Sequence, residues 1–214
     1  MIQLSERTKY FTDSVIRRMT RVCNQYGAVN LSQGFPDNDP PKPLMDRLEK
    51  VAHTGPHQYA ITWGAPKTLD ALAKKIEHFS GIKVDPQQEL CITCGGTEAM
   101  MCAVMATINP GEKIAIFSPF YENYGADSVL CGATPIYVPL HVPDFSFDEN
   151  ELENAFKQGA KALILCNPSN PSGKVFTRDE LLAIARIVEK YNAFVITDEV
   201  YEHIIFEPYH HTYF

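Results

Sequence analysis

From residue 89 onward, short β-branched and apolar runs alternate with stretches of helical periodicity, and this alternation limits the possible folds more than any other feature. A chain that returns to strand after each helix forms βαβ crossovers, which connect parallel strands. We therefore predict the α/β class, with a three-layer α/β/α arrangement around a mainly parallel sheet. The predicted strands are Leu90–Thr93, Lys113–Phe117, Thr134–Leu140, Ala162–Cys166 and Phe194–Thr197, and the helical patterns lie near 98–108, 123–130, 149–156 and 178–191.

The residues before this alternation have a different organisation. Apolar spacing predicts helices near 14–27, 43–53 and 67–79. The loop Asn30–Pro43 is too rich in proline to lie inside a helix or a strand. We predict an N-terminal arm and loop over residues 1–42, followed by one large domain over residues 43–214.

Charge and composition disfavour several classes of function. The 214 residues carry 26 acidic and 19 basic side chains, a net charge of −7, without the basic stripe typical of nucleic-acid binding. No apolar run approaches the roughly 20 residues of a membrane helix. The first ten residues are polar, so we expect no secretory signal and a cytoplasmic protein whose six cysteines stay reduced. Cys91 and Cys94 form a lone CxxC without a second ligand pair, and we predict no metal site.

The turns after the predicted strands hold the candidate chemistry, because ligands bind at the carboxyl ends of parallel strands. The turn Cys94–Ala99 leads from the first predicted strand into a helix and has the sequence CGGTEA. It offers two glycines, free N–H groups and the Thr97 hydroxyl. These groups suit a phosphate at a helix start, although a plain capped turn would use the same residues.

Three further turns offer aromatic rings, amides and a carboxylate. Ser118–Tyr124 supplies rings that either stack on a planar ligand or pack beneath the loop. In Cys166–Gly173 we expect the side chains of Asn167 and Asn170 to face the ligand crevice. Asp198 ends an apolar strand, where a buried carboxylate needs a cationic or hydrogen-bonding partner unless it caps the next segment. Together the four turns suit a phosphorylated heteroaromatic cation, and pyridoxal 5′-phosphate fits that description.

On five segments the chain resembles the class I/II aminotransferases, pyridoxal-phosphate enzymes of fold type I. The segments are LSQGFPD at 31–37, GGTEA at 95–99, SPFY at 118–121, NPSNPSG at 167–173 and TDEVYE at 197–202. The resemblance covers nearly the whole chain and implies a large domain of the PLP-dependent transferase type. It implies transfer of an amino group from an L-amino acid to a 2-oxo acid by a homodimer.

The resemblance also implies roles for single residues around the cofactor. Gly96 and Thr97 would bind its phosphate, and Tyr121 would stack on its pyridine ring. Asp198 would pair with the protonated ring nitrogen, which keeps the ring an electron sink.

Four residues would complete the site. Asn170 and Tyr201 would donate hydrogen bonds to the phenolic oxygen of the ring, and Asn170 would also contact the substrate. Tyr59 resembles the tyrosine that reaches the cofactor phosphate of the neighbouring subunit. Gly34 would line the pocket for the substrate carboxylate.

The family's Schiff-base lysine lies beyond the TDEVYE segment, and we find no candidate for it here. The chain ends at Phe214 and its last lysine is Lys190, so no catalytic residue is assigned. We expect residues 1–214 to be an incomplete cofactor-binding domain, a fragment without transaminase activity of its own. Two strands of the family sheet would also be absent, which we expect to leave Leu90–Thr93 and Ala162–Cys166 with unpaired edges.

Two alternative functions stay open. A C–S β-lyase with the same cofactor would share these motifs. A non-catalytic aminotransferase-like module is the other, although the acidic charge and short N-terminus disfavour a DNA-binding regulator. Tyr59, Trp63 and Tyr124 give a weak hint of apolar or aromatic substrates.

Overall fold

The computed structural model describes residues 2–10, 13–34, 36–55, 57–59 and 61–214, so Phe35 of the LSQGFPD segment lies outside the described residues. The chain forms two compact units, one of Met1–Phe11 with Thr93–Phe214 and one of Thr12–Ile92. This division differs from the predicted boundary at residue 42, which stays a prediction.

The first unit is built on a sheet of four parallel strands, which confirms the predicted fold class. The strands are β1 (Lys113–Ser118), β2 (Thr134–Pro139), β3 (Ala160–Cys166) and β4 (Phe194–Asp198), in the order β2-β1-β3-β4. The two central strands are buried on both faces. They therefore read as continuous apolar runs rather than as alternating ones.

Helices cover both faces of this sheet and complete the three layers. One face packs against α4 (Gly96–Thr107) and α5 (Asn123–Leu130), and the other packs against α6 (Glu149–Lys157) and α7 (Arg178–Lys190). The first core includes Val104, Ile114, Ile116, Ala162 and Ile164, and the second includes Ala115, Leu152, Leu163, Leu165, Phe176 and Ile184. A short 3₁₀ helix, Glu6–Tyr10, lies against α5.

The second unit is helical, as its periodicity predicted. It contains α1 (Val15–Tyr26), α2 (Lys42–Ala52) and α3 (Pro66–Ser80). The Ser14 side chain caps the start of α1, and Gly27, at a φ of 59°, ends it in the left-handed conformation that glycine tolerates. No helix among the described residues is both long and apolar enough to cross a membrane.

Two expectations about the sheet were wrong. Leu90–Thr93 is not a strand, and the Ile92 N–H donates to the Trp63 carbonyl at 2.8 Å rather than to a β ladder. Its β-branched composition favours extended backbone, but a strand also needs a paired neighbour. The expected free edge at Ala162–Cys166 is also absent, because β3 pairs with β1 on one side and with β4 on the other. The edge strands are β2 and β4.

Candidate cofactor site

The turn that precedes α4 is open in the way an anion site requires. Gly95 caps the helix with a φ of 85°, a left-handed conformation that disfavours other residues. A Cβ atom added to Gly95 or Gly96 would meet nothing within 4 Å. The first turn of α4 leaves backbone N–H groups without helical partners, and the helix dipole favours negative charge there. The Glu98 carboxylate accepts a hydrogen bond from the Cys94 N–H and so closes the turn.

A side-chain hydrogen bond joins this turn to the aromatic segment. Asn123, the first residue of α5, donates from Nδ2 to the Thr97 Oγ1 at 2.7 Å. Tyr121 precedes it and is half-buried, with its ring edge-on to Tyr124 at a centroid distance of 5.8 Å. The predicted phosphate turn and the predicted ring platform are therefore linked at the starts of α4 and α5.

Asp198 lies at the carboxyl end of β4 and has the partner that its position requires. Its Oδ2 accepts a hydrogen bond of 2.7 Å from the Tyr124 hydroxyl, and its Oδ1 accepts one of 3.2 Å from the Val200 N–H. Tyr124 is only 3% exposed. Burial raises the pKa of its hydroxyl, and the neighbouring Cys166 thiol and Asp198 carboxylate raise it further. Tyr124 therefore stays protonated and remains a donor to Asp198.

Asn170 and Tyr201 are brought together, as their shared predicted role requires. The Asn170 Nδ2 donates to the Tyr201 hydroxyl oxygen at 3.2 Å, and both residues are half-buried. One follows β3 and the other follows β4, and these strands are neighbours in the sheet. The pair lies at the same carboxyl edge as Asp198.

Asn167 does not face a crevice, so that expectation was wrong. It is 1% exposed, and both polar atoms of its side chain form hydrogen bonds within the protein. Nδ2 donates to the Thr212 carbonyl at 3.1 Å, and Oδ1 accepts from the Phe176 N–H at 3.1 Å. Its own N–H donates to the Asp198 carbonyl at 3.0 Å. Asn167 is thus a structural residue beneath the site.

The remaining predicted residues, Gly34 and Tyr59, belong to the Thr12–Ile92 unit. Tyr59 is 99% exposed, and a Cβ atom added to Gly34 would meet nothing within 4 Å. Their predicted roles stay predictions. No group of three His, Cys, Asp or Glu side chains in the described part of the chain is placed to hold a metal ion.

Taken together, the first unit offers an open helix start suited to an anion, an aromatic ring, a fixed carboxylate and an amide–phenol pair. Asp198 lies on the same sheet face as α4 and α5, because Tyr124 of α5 reaches it and α4 packs against β4. A ligand with an anionic group and a protonated aromatic nitrogen fits this donor and acceptor set. The open glycine turn and the Tyr124-held carboxylate are the features that make the fit.

Comparison with known proteins agrees with this site. The family model "Aminotransferase class I and II" matches residues 26–212. A probable N-succinyldiaminopimelate aminotransferase of Mycobacterium tuberculosis is 36% identical over 208 residues, which are 96% of this chain and 52% of that protein. The methionine aminotransferase of Escherichia coli is 33% identical over 92% of this chain and 51% of its own length. A solved N-succinyldiaminopimelate aminotransferase structure from M. tuberculosis superposes with a TM-score of 0.93, covering 98% of this chain and 55% of that one, at 36% identity.

The chain belongs to the class I and II aminotransferase family. Members of this family are pyridoxal 5′-phosphate enzymes. The chain spans about half the length of the relatives it matches.

Sequence reasoning missed the residues that hold the site in place. Tyr124 was interpreted as one of the rings of Ser118–Tyr124 and as a hint of substrate preference, yet its hydroxyl is bound to Asp198. Asn123 was not singled out, although it bonds Thr97. The sequence offered only a partial signal for Tyr124, its place near the start of the helix that follows the aromatic segment.

Proposed function

We propose that the protein to which this chain belongs is a pyridoxal-phosphate-dependent aminotransferase. It moves an amino group from an L-amino acid to a 2-oxo acid, and residues 93–214 supply most of the cofactor site. The observation that carries the proposal is the Asp198 carboxylate, held by the buried Tyr124 hydroxyl at 2.7 Å on the sheet face that packs against α4. The bound cofactor would supply an electron sink for the substrate carbanion.

Each predicted site residue has a defined task in this proposal. The N–H groups at Gly96 and Thr97 bind the cofactor phosphate, because a helix start favours an anion. Tyr121 packs on the face of the pyridine ring, and Asp198 accepts the ring N–H and keeps that proton in place.

The remaining tasks concern the phenolic oxygen of the ring and the substrate. Asn170 and Tyr201 donate to the phenolic oxygen, and Asn170 also contacts the substrate. Gly34 lines the substrate carboxylate pocket. Tyr59 completes the phosphate site of a second subunit in a cytoplasmic homodimer.

We also propose that residues 1–214 alone bind the cofactor without transaminating. Three lysines on the helices and loops around the sheet have acidic partners: Lys174 pairs with Glu180 at 2.7 Å, and both Lys157 and Lys190 pair with Glu153. An amine held in such pairs is a poor nucleophile. Assaying the purified chain with several amino acids and 2-oxoglutarate tests this, and measurable turnover would contradict it.

The cofactor proposal is tested by titrating the 214-residue chain with pyridoxal 5′-phosphate and following absorbance. Asp198→Asn keeps the shape of the side chain but removes its charge, so we expect the dissociation constant to rise about tenfold or more. Asp179→Asn, an exposed position on α7, is the matched control and should bind like the unmodified chain. Equal affinity of all three proteins would exclude Asp198 from the site.

A further inference from the structure

The last described residues of the chain contact the turn that carries two predicted cofactor ligands. We call His211–Phe214 the tail segment and residues 198–202 the Asp198 turn. The Tyr213 hydroxyl donates to the Glu202 carboxylate, and the Phe214 N–H donates to Glu199 Oε1 at 3.4 Å. Nothing in the cofactor proposal uses these contacts.

A buried histidine lies at the same contact. The side chain of His211 is 8% exposed, and its Nε2 lies 3.6 Å from Glu199 Oε2. Both of its ring nitrogens are buried without a hydrogen-bond partner, and its ring packs edge-on against Tyr213 at 4.4 Å. Burial raises the pKa of Glu199. The His211 ring therefore lies between a partly desolvated carboxylate and a tyrosine ring, where the tail segment meets the Asp198 turn.

The tail segment is also tied to the strand beneath the site. Thr212 offers its carbonyl to Nδ2 of the buried Asn167, whose N–H donates to the Asp198 carbonyl. Asn167 therefore bonds the tail segment with its side chain and the Asp198 turn with its backbone.

Each bonded glutamate directly follows a predicted cofactor ligand in sequence. Glu199 follows Asp198, and Glu202 follows Tyr201. Fixing the side chains of Glu199 and Glu202 restricts the backbone torsions that follow Asp198 and Tyr201. The residual freedom of the Asp198 and Tyr201 side chains is then small, which lowers the entropy lost when a ligand is bound.

We propose that the tail segment positions the Asp198 turn, with Tyr213 and His211 as positioning residues for the ring-nitrogen contact of the cofactor. This inference rests on the proposed function, because it assumes that Asp198 meets the ring nitrogen. It assigns to Tyr213 and His211 an effect on how the ring is bound, beyond an effect on stability.

The test uses two probes on the 214-residue chain: pyridoxal 5′-phosphate and its analogue with carbon in place of the ring nitrogen. The ratio of the analogue's dissociation constant to that of the cofactor measures what the nitrogen contact contributes. Tyr213→Phe removes one hydroxyl and keeps the ring, and we expect it to lower this ratio about threefold. Tyr209→Phe is the matched control, since that ring is 57% exposed, and the ratio should not change.

The outcomes separate the two proposals. If the unmodified chain binds neither probe, or binds both equally, the proposed role of Asp198 fails and this inference fails with it. If the unmodified chain prefers the cofactor but Tyr213→Phe weakens both probes by the same factor, the tail segment is merely structural and only this inference is overturned. Glu199→Gln, which weakens the His211 contact, carries the same test if Tyr213→Phe does not fold.

Discussion

At the scale of single residues, the hydrogen bond from Tyr124 to Asp198 determines the character of the site. A half-buried carboxylate at the end of a strand is costly unless a donor reaches it, and this donor is itself buried. Tyr124→Phe should therefore weaken cofactor affinity and lower the free energy of unfolding by about 1–3 kcal/mol. Urea unfolding and absorbance titration measure the two effects. Tyr137→Phe, at a half-exposed ring, should change neither, and equal effects of the two variants would contradict a specific role for Tyr124.

A second residue, Asp127 on α5, makes stability depend on pH. It is 4% exposed, its Oδ2 has no hydrogen-bond partner, and burial raises the pKa of its carboxyl to about 6. The unfolded chain loses this proton at lower pH than the folded chain, so the folded state loses stability as pH rises between about 4 and 6. Above that range the penalty is constant.

Asp127→Asn should remove this penalty. At pH 8 we expect the variant to be more stable than the unmodified chain by up to about 3 kcal/mol, and at pH 4 nearly equal to it. Chemical unfolding at the two pH values measures the difference. Asp70→Asn, at an exposed helical position, should be neutral at both. A gain for Asp127→Asn that is as large at pH 4 as at pH 8 would refute the titration account.

At the scale of elements, the loop that carries Asn170 is fixed through the start of α7. Thr177 and Glu180 form a capping box, and Glu180 also pairs with the largely buried ammonium of Lys174. Burial opposes ionisation of Glu180, but the Lys174 and Thr177 contacts outweigh it and its pKa is lowered. Lys174 in turn accepts the Ser169 N–H at its carbonyl, next to Asn170.

Removing this cap should therefore lower the free energy of unfolding. We expect Thr177→Ala to cost about 1 kcal/mol of unfolding free energy, because it leaves an α7 N–H without its acceptor. Thermal or urea unfolding measures this, with Thr107→Ala as the control, since that hydroxyl bonds inside a helix and caps nothing. A loss of equal size in both variants would show that the capping box contributes nothing specific.

The secondary-structure elements also show which features of the fold and the site can be predicted from sequence patterns. The runs that became β1, β2, β3 and β4 were predicted because short β-branched and apolar runs alternate with helical patterns, and the runs of the two central strands, β1 and β3, are buried along their length. The same signal failed at Leu90–Thr93, since propensity is local and strand pairing is not. The site followed the same rule. The strand ends predicted that Asp198 and Asn170 lie at the carboxyl edge of the sheet. Which tyrosine contacts Asp198 depends on the first turn of α5, and the inward turn of Asn167 depends on Thr212 and Phe176.

At the scale of the whole molecule, β4 is the edge most open to another chain. Within the described part of the chain it pairs with β3 alone, and Phe194 at its start is 57% exposed, whereas the β2 edge carries Pro135 and Pro139. Unpaired strand edges with apolar side chains promote association, and proline or charge prevents it. The 214-residue chain should therefore associate in solution.

Phe194→Lys should shift the chain toward monomer in sedimentation velocity, because it puts a charge on that edge. Phe206→Lys removes an equally apolar side chain, 81% exposed, outside any strand. We expect it to have the smaller effect. If both variants reduce association alike, general surface hydrophobicity rather than the β4 edge is responsible.

The parallel order of the sheet also has a consequence for synthesis. Lys113 pairs with Thr134 and with Ala160, so no tight hairpin can start the sheet. Closing such long loops costs entropy before any pairing offsets it. As the chain leaves the ribosome, β1 has no second neighbour until β3 has emerged. Throughout that interval the apolar stretch Ile114–Phe117 is exposed to other nascent chains, and chaperones are the natural means of shielding it.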